Sequence, residues 1–260
     1  MLRIVITAAA LAFISQSAFA DDWSKRWNVS AKPELHVSTS DASVTVEVGD
    51  DHVIDARVTT TGWSIGPTGV RIDERQTGDK VQIDVKVPQG HWNFGNHNVR
   101  LEVHVPRELM ADLHTGDGSI TMRGLHGNLR ADTGDGSIRG EALDGAIEAH
   151  TGDGSVHIAG RFDKLQLHTN DGSVEVEAKD GSHMASDWSI QTGDGSVHLR
   201  VPSSLAADLD AHTGDGSIHV DLPSASGHVK SEHALQSKLN GGGPALLLRT
   251  GDGSITVSGL

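Results

Sequence analysis

The chain has no cysteine and no tyrosine, only 3% aromatic residues, and fewer basic than acidic side chains. Each shortage excludes something. Without cysteine there is neither a disulfide framework nor an acceptor for a lipid anchor, so stability rests on burial and backbone pairing. With 21 Lys and Arg against 35 Asp and Glu, for a net charge of −14, the surface repels nucleic acid and anionic lipid and attracts cations and basic partners. The longest apolar run, Ile4 to Ile14, falls short of the roughly 20 residues a membrane span needs. No transmembrane segment is expected. What the chain has in quantity is glycine, 31 residues, together with Val, Ile and Thr, a composition that favours strands and turns and makes an all-β fold the expectation.

Residues 1–20 read as a cleavable signal peptide. Arg3 is the single charge, the apolar run follows, and Ala18-Phe19-Ala20 supplies a small-residue cleavage site ahead of Asp21-Asp22-Trp23. The mature chain is therefore expected to begin at Asp21 and to be periplasmic, cell-surface or extracellular. Removing Arg3 leaves 20 basic against 35 acidic residues, or −15, and the 16 His, with an unperturbed pKa near 6.5, allow mild acid to erase most of that charge.

One hexapeptide, Thr-Gly-Asp-Gly-Ser-Ile/Val, recurs from Thr115, Thr133, Thr151, Thr169 (with Asn170 in place of the first Gly), Thr192, Thr213 and Thr250. The first three steps are 18 residues and the next are 23, 21 and 37, and a short fixed period is the signature of a stacked repeat. Around each Thr, apolar residues occupy four columns. Four and two positions before it stand, for example, Ile147 and Ala149; five and seven after it stand Val156 and Ile158. Polar residues lie between. Period-two alternation on both sides of a Gly-Asp-Gly turn predicts two short strands per repeat, each with one buried face. An 18-residue unit cannot bury that face alone, but stacking at about 4.8 Å closes a core. The prediction is a β-solenoid of two-strand coils of about 18–21 residues, with the turn glycines supplying positive φ and the Asp accepting from its own turn.

Leu125-His126-Gly127, Leu143-Asp144-Gly145 and Gly160-Arg161-Phe162-Asp163 read as turns at the opposite edge. Gly181 to Ser186 widens one coil, and Leu222 to Gly243 is a loop or added hairpin. Upstream, Thr39-Ser40-Asp41-Ala42-Ser43-Val44 is a degenerate copy whose neighbours Leu35, Val37, Val44 and Val46 fill the same columns. Between it and the regular repeats, alternating stretches at Val53 to Thr60, Val70 to Asp73, Val81 to Val87 and Val99 to Val105 predict an antiparallel β section near the N-terminus. The organisation expected is one domain over 21–260, with that section in 30–110 and the regular repeats in 111–260.

The strand Val99-Arg100-Leu101-Glu102-Val103-His104-Val105-Pro106 leading into the first hexapeptide, the recurrent Gly-Ser-Ile/Val strands, and Leu239-Asn240-Gly241-Gly242-Gly243-Pro244 before the last copy resemble the exported putative-adhesin family of β-strand-repeat proteins, a domain of unknown function. The resemblance implies cell-envelope or surface association and adhesion. It supplies no catalytic residue and no ligand.

Three constellations bear on chemistry. The turn acids Asp117, Asp135, Asp153, Asp171, Asp194, Asp215 and Asp252 should stack at one edge, where a ladder of carboxylates invites a counter-ion, calcium being the natural one; alternatively each Asp caps its own turn and solvent screens the column. His114, His150, His168 and His212 form one partial outward column and His157, His198 and His219 another. Adjacent His150 and His168 are placed to share a transition metal, to respond to pH, or simply to be solvated. Trp92-Asn93-Phe94 is either an end cap or a sugar-stacking loop, and Trp63 and Trp188 look like core plugs. Equivalent carboxylates are unsuited to the unequal acid–base pair that glycan cleavage needs, and no nucleophile elbow or zinc-hydrolase motif is present. The expectation is a non-enzymatic binding or scaffold module with no cofactor, for envelope polysaccharide or another surface protein. A calcium-dependent module and a β-helical polysaccharide hydrolase or lyase are the alternatives.

Overall fold

A computed structural model describes residues 20–88, 98–231 and 233–260. Residues 1–19 of the stretch read as a signal peptide, and Trp92-Asn93-Phe94, lie outside the described residues. In chain order the strands are β1 (Ala20–Asn28), β2 (Glu34–Thr39), β3 (Ser43–Val48), β4 (Val53–Thr61), β5 (Arg71–Thr77), β6 (Lys80–Lys86) and β7 (Asn98–Val105). The repeats follow with β8 (Glu108–Thr115), β9 (Ile120–Arg123), β10 (His126–Thr133), β11 (Ile138–Thr151), β12 (Val156–Thr169), β13 (Val174–Ala178), β14 (Trp188–Thr192) and β15 (Val197–Val201). The C-terminal part comprises β16 (Ala207–Thr213), β17 (Ile218–Asp221), β18 (Ala225–Lys230), β19 (Ala234–Leu239), β20 (Ala245–Thr250) and β21 (Ile255–Gly259). Among the described residues there is no α-helix, and hence none long and apolar enough to cross a membrane.

Strands ending at a repeat Thr pair with one another in parallel, as do the strands that leave each turn. The first row runs β6, β2, β8, β10, the second half of β11, the second half of β12, β14, β20 and β16. The second row runs β7, β3, β9, the first half of β11, the first half of β12, β13, β15, β21 and β17. Equivalent residues sit in register, so Thr39 lies beside Thr115, then Thr133, Thr151 and Thr169. The apolar columns point inward: Ala111, Leu129, Ile147, Leu165, Trp188, Leu209 and Leu246 are all buried, and of the column seven after Thr only Val220 is half-exposed.

Stack order departs from chain order at both ends. Thr192 pairs with Thr250, and Thr250 with Thr213, so the last repeat is inserted between the two that precede it. At the other end the first repeat, β2–β3, lies inside β6 and β7, which come later in the chain. The stretches read as antiparallel are thus mixed. β1 pairs with β4, β4 with β7 and β5 with β6 antiparallel, whereas β6 and β7 also form a parallel rung on the first repeat.

Each end is finished by antiparallel strands. At the first, the inward side of β1 brings Trp23 and buried Trp27 together with ring centroids 6.2 Å apart, Lys25 pairs with Glu74 of β5, and Gln76 Nε2 donates to the Asn28 carbonyl at 2.8 Å. At the second, β19 runs antiparallel to β16 and β18 to β19, so the expected excursion at Leu222 to Gly243 is a hairpin that lengthens the first row.

The opposite edge differs from the sequence reading. The segments at Leu143 and Gly160 are not separate turns but lie inside the continuous 14-residue strands β11 and β12, and His126-Gly127 begins β10. The chain bends there without breaking its ladder, helped by positive φ at Gly127 (133°), Ala142 (52°) and Gly145 (114°) and by register shifts in the β11–β12 pair. Leu125, Leu143 and Phe162 point inward and are buried. Trp188 is fully buried against Phe162, edge to face at 6.4 Å, in the widened repeat.

Candidate functional site

The hexapeptide edge is built by its Thr, not its Asp. Each repeat Thr is buried. Thr151 Oγ1 accepts from the N–H of Gly154 in its own turn at 3.3 Å and donates to the carbonyl of Gly136 in the neighbouring turn at 2.8 Å. Thr133, Thr169, Thr192, Thr250 and Thr213 repeat the donation, to Gly118, Gly154, Gly172, Gly195 and Gly253. Backbone amides continue the stack, with Gly152 N–H donating to the Gly134 carbonyl at 2.6 Å. One hydroxyl thereby satisfies two buried backbone groups that would otherwise lack partners.

The glycines also have a different reason from the one inferred. Of the hexapeptide glycines only Gly216, at 158°, has a positive φ. What requires glycine is the neighbouring turn. A Cβ on Gly136, Gly154, Gly172, Gly195 or Gly253 would lie 2.1 Å from the carbonyl oxygen of the equivalent Gly one rung away, a distance no side chain tolerates. The first repeat has no hexapeptide on its outer side, and there Ala42 stands in the second Gly position, fully buried.

Asp117, Asp135, Asp153, Asp171, Asp194, Asp215 and Asp252 occupy the tips of these turns, and all seven are exposed. Their backbone amides join the stack, as when Asp194 N–H donates to the Asn170 carbonyl at 2.9 Å, while the expected capping of each turn by its Asp carboxylate is done by the Thr hydroxyl instead. In space the column runs Asp171, Asp194, Asp252, Asp215, following the inserted repeat. Among the described residues no three His, Asp or Glu side chains converge as a metal site would require.

The outward faces of the two rows carry the remaining polar chemistry. On the first row Arg130 lies 2.7 Å from Asp132, 2.5 Å from Glu148 and 3.9 Å from Asp112. These carboxylates, Asp132 foremost, raise the pKa of its guanidinium. Lys80, 2.8 Å away, and then His36 hold the Glu34 carboxyl below its ordinary value. On the second row Arg123 bridges Glu47 and Glu141, and Lys179 and Arg200 lower the pKa of Glu177. Arg130–Asp132 and Lys179–Glu177 lie two residues apart in the chain, while the other Arg and Lys pairs join neighbouring rungs; all sit on exposed faces where solvent screens them.

Two shallow grooves adjoin on the first row. One of about 420 Å³ has half-exposed Met110, Asn128, Ala146 and Lys164 along it; the next, about 390 Å³, is bordered by Asp132, His150, Gln166, His168 and Gln191. The outward His column reads in space Ser38, His114, Asp132, His150, His168, Gln191, Arg249 and His212. His150 and His168 are neighbours, with parallel rings at a centroid distance of 5.0 Å. On the second row Glu175 separates His157 from His198 and lies 3.1 Å from His157 Nδ1. Sequence reasoning missed the Trp23–Trp27 end plug because Asp21-Asp22-Trp23 reads as the start of the mature chain; the Trp-x-x-x-Trp spacing, which puts both rings on one strand face, was the available signal.

The Toastrack DUF4097 family model matches residues 33–258, and the chain belongs to that family, in accord with the putative-adhesin resemblance. No curated protein matches the sequence significantly. Among solved structures the chain is similar to a putative cell adhesion protein from Clostridium sporogenes (12% identity, 92% of this chain and 100% of that one, TM-score 0.41). It is also similar to a putative adhesin from Bacteroides fragilis (11%, 95% and 98%, 0.45) and a putative lipid binding protein from Parabacteroides distasonis (15%, 91% and 96%, 0.42).

Proposed function

We propose that this chain is an exported, non-enzymatic β-solenoid, a single domain over residues 21–260, that serves as a binding and scaffold module of the cell envelope or surface. The observation that carries this reading is the regularity of the outward faces. Equivalent outward positions recur rung after rung in register along the parallel rows, so hydrogen-bonding side chains, varied in kind, are offered at a repeat of about 4.8 Å on a frame held by a continuous core. Such a surface suits a partner that is itself extended and repetitive, as envelope polysaccharide is. The acidic balance argues against nucleic acid. The signal-like segment before Asp21 and the absence of cysteine fit an exported chain that needs no disulfide.

Cell fractionation of the full chain, with N-terminal sequencing and cosedimentation of the purified protein with isolated envelope polysaccharide, tests the proposal. The expected result is an envelope or extracellular product beginning at Asp21 that sediments with the polysaccharide and leaves it uncleaved. A cytoplasmic, unprocessed product, absence of sedimentation, or release of sugar fragments would overturn it.

A further inference from the structure

We propose that His150 and His168 form a two-imidazole site for a late transition-metal cation of the Ni²⁺, Cu²⁺ and Zn²⁺ class on the outward face of the first row. This site stands apart from the Asp column and from the polysaccharide-binding reading. Imidazole is the protein ligand that these ions share, and along the two outward columns this is the one place where two histidines occupy adjacent rungs. His114 is separated from the pair by Asp132, and His157 from His198 by Glu175.

The ladder fixes the pair. His150 and His168 are register partners in β11 and β12, between fully buried Thr residues on their C-terminal side and buried Ala149 and Leu167 on the other. Their rings are within 2° of parallel with centroids 5.0 Å apart. Among the described residues neither ring has a hydrogen-bond partner that would hold its nitrogens elsewhere. Metal–nitrogen bonds of about 2.0–2.1 Å put two ligand atoms of one ion about 2.8–4.2 Å apart from cis to trans placement. Because an ion lies in the plane of each imidazole that binds it, the parallel rings must turn until their planes converge, about a terminal torsion that is broad for His and on a face where both side chains are exposed.

The groove of about 390 Å³ beside them has room for the remaining water ligands. Its two nearby carboxylates, Asp132 and Glu148, are already engaged by Arg130. Gln166, Ser189 and Gln191 supply neutral groups able to accept from metal-bound water. The site is therefore a bidentate one with an aqueous outer hemisphere.

Titration calorimetry with NiCl₂ at pH 7.5, where imidazole is largely unprotonated, tests the assignment on the untagged mature chain. His150→Ala and His168→Ala should each weaken the tightest Ni²⁺ site at least tenfold. A double control, His212→Ala with His219→Ala, removes one imidazole more than either single variant yet should change it less than twofold, because His212 has Arg249 and Ala234 as rung neighbours and His219 has Thr256. Melts by circular dichroism confirm that the variants fold, and Cu²⁺ electron paramagnetic resonance should show two equatorial nitrogens that become one in either single variant. No saturable binding, equal loss in the control, or an effect of only one of the two histidines would overturn the proposal.

Discussion

Between Thr115 and Thr192 the chain advances one rung per repeat in sequence order, each turn hydrogen-bonded to the last. At the two ends, β1 to β7 and β16 to β21, later segments are inserted next to earlier ones, and antiparallel strands finish both rows at the first end and the first row at the second. The middle is held by repetition: the same Thr hydroxyl, the same glycine contact and the same four apolar columns recur, so each rung is a template for the next. The ends cannot use that device, because an unfinished rung exposes both an apolar core and an unpaired strand edge. They close instead with particular residues, Trp23 and Trp27 on one side and the β18–β19 hairpin on the other.

The sharpest way to break the middle without touching the ends is Gly154→Ala. Its Cβ would meet the Gly136 carbonyl oxygen at 2.1 Å, and we expect a loss above about 4 kcal/mol or failure to fold. Gly78→Ala in the end hairpin, where φ is +61° and nothing lies within 4 Å, should cost only about 1 kcal/mol, so urea melts of the two contrast crowding with conformation. Next in size, Trp27→Ala opens the end plug and should cost about 3–5 kcal/mol, with hydrogen exchange speeding in β1 and β4 before the central strands. Thr151→Val deprives one buried N–H and one carbonyl of their partner at about 1–3 kcal/mol, and Thr151→Ser should recover most of it in a thermal melt. The smallest effect belongs to the acids: Asp135→Asn with Asp153→Asn, both exposed, should move stability by less than about 0.5 kcal/mol, and EDTA should leave the melting temperature of the unaltered chain in place.

The columns were legible in the sequence because period two around a fixed hexapeptide fixes which side chains face inward, and Leu35, Val37, Val44 and Val46 announced a first repeat without the motif. The stack order was not legible. Thr192, Thr213 and Thr250 carry the same hexapeptide, so any of them is a chemically acceptable neighbour of any other, and the choice depends on how the β18–β19 hairpin carries the chain back. The turn was half legible: Gly was rightly taken as required, but its cause is a carbonyl one rung away, a contact between residues 18 or more positions apart that local turn chemistry does not contain. The His150–His168 adjacency was readable from the constant 18-residue step, whereas the parallel stacking of the rings emerges only from the structure.

Cysteine pairs at the serine of the turn measure the stack directly, since the chain has no cysteine of its own. Ser254 N–H donates to Ser196 Oγ at 3.3 Å, while Ser217 lies beyond Ser254, its N–H 3.4 Å from Ser254 Oγ. Neighbouring rungs fall within the roughly 4.4–6.8 Å between Cα atoms that a disulfide accepts, and rungs two apart do not. Under mild oxidation Ser196→Cys with Ser254→Cys should cross-link nearly completely and Ser196→Cys with Ser217→Cys should stay reduced; cross-linking of the second pair in preference to the first would show that the repeats stack in chain order and contradict the inserted last rung.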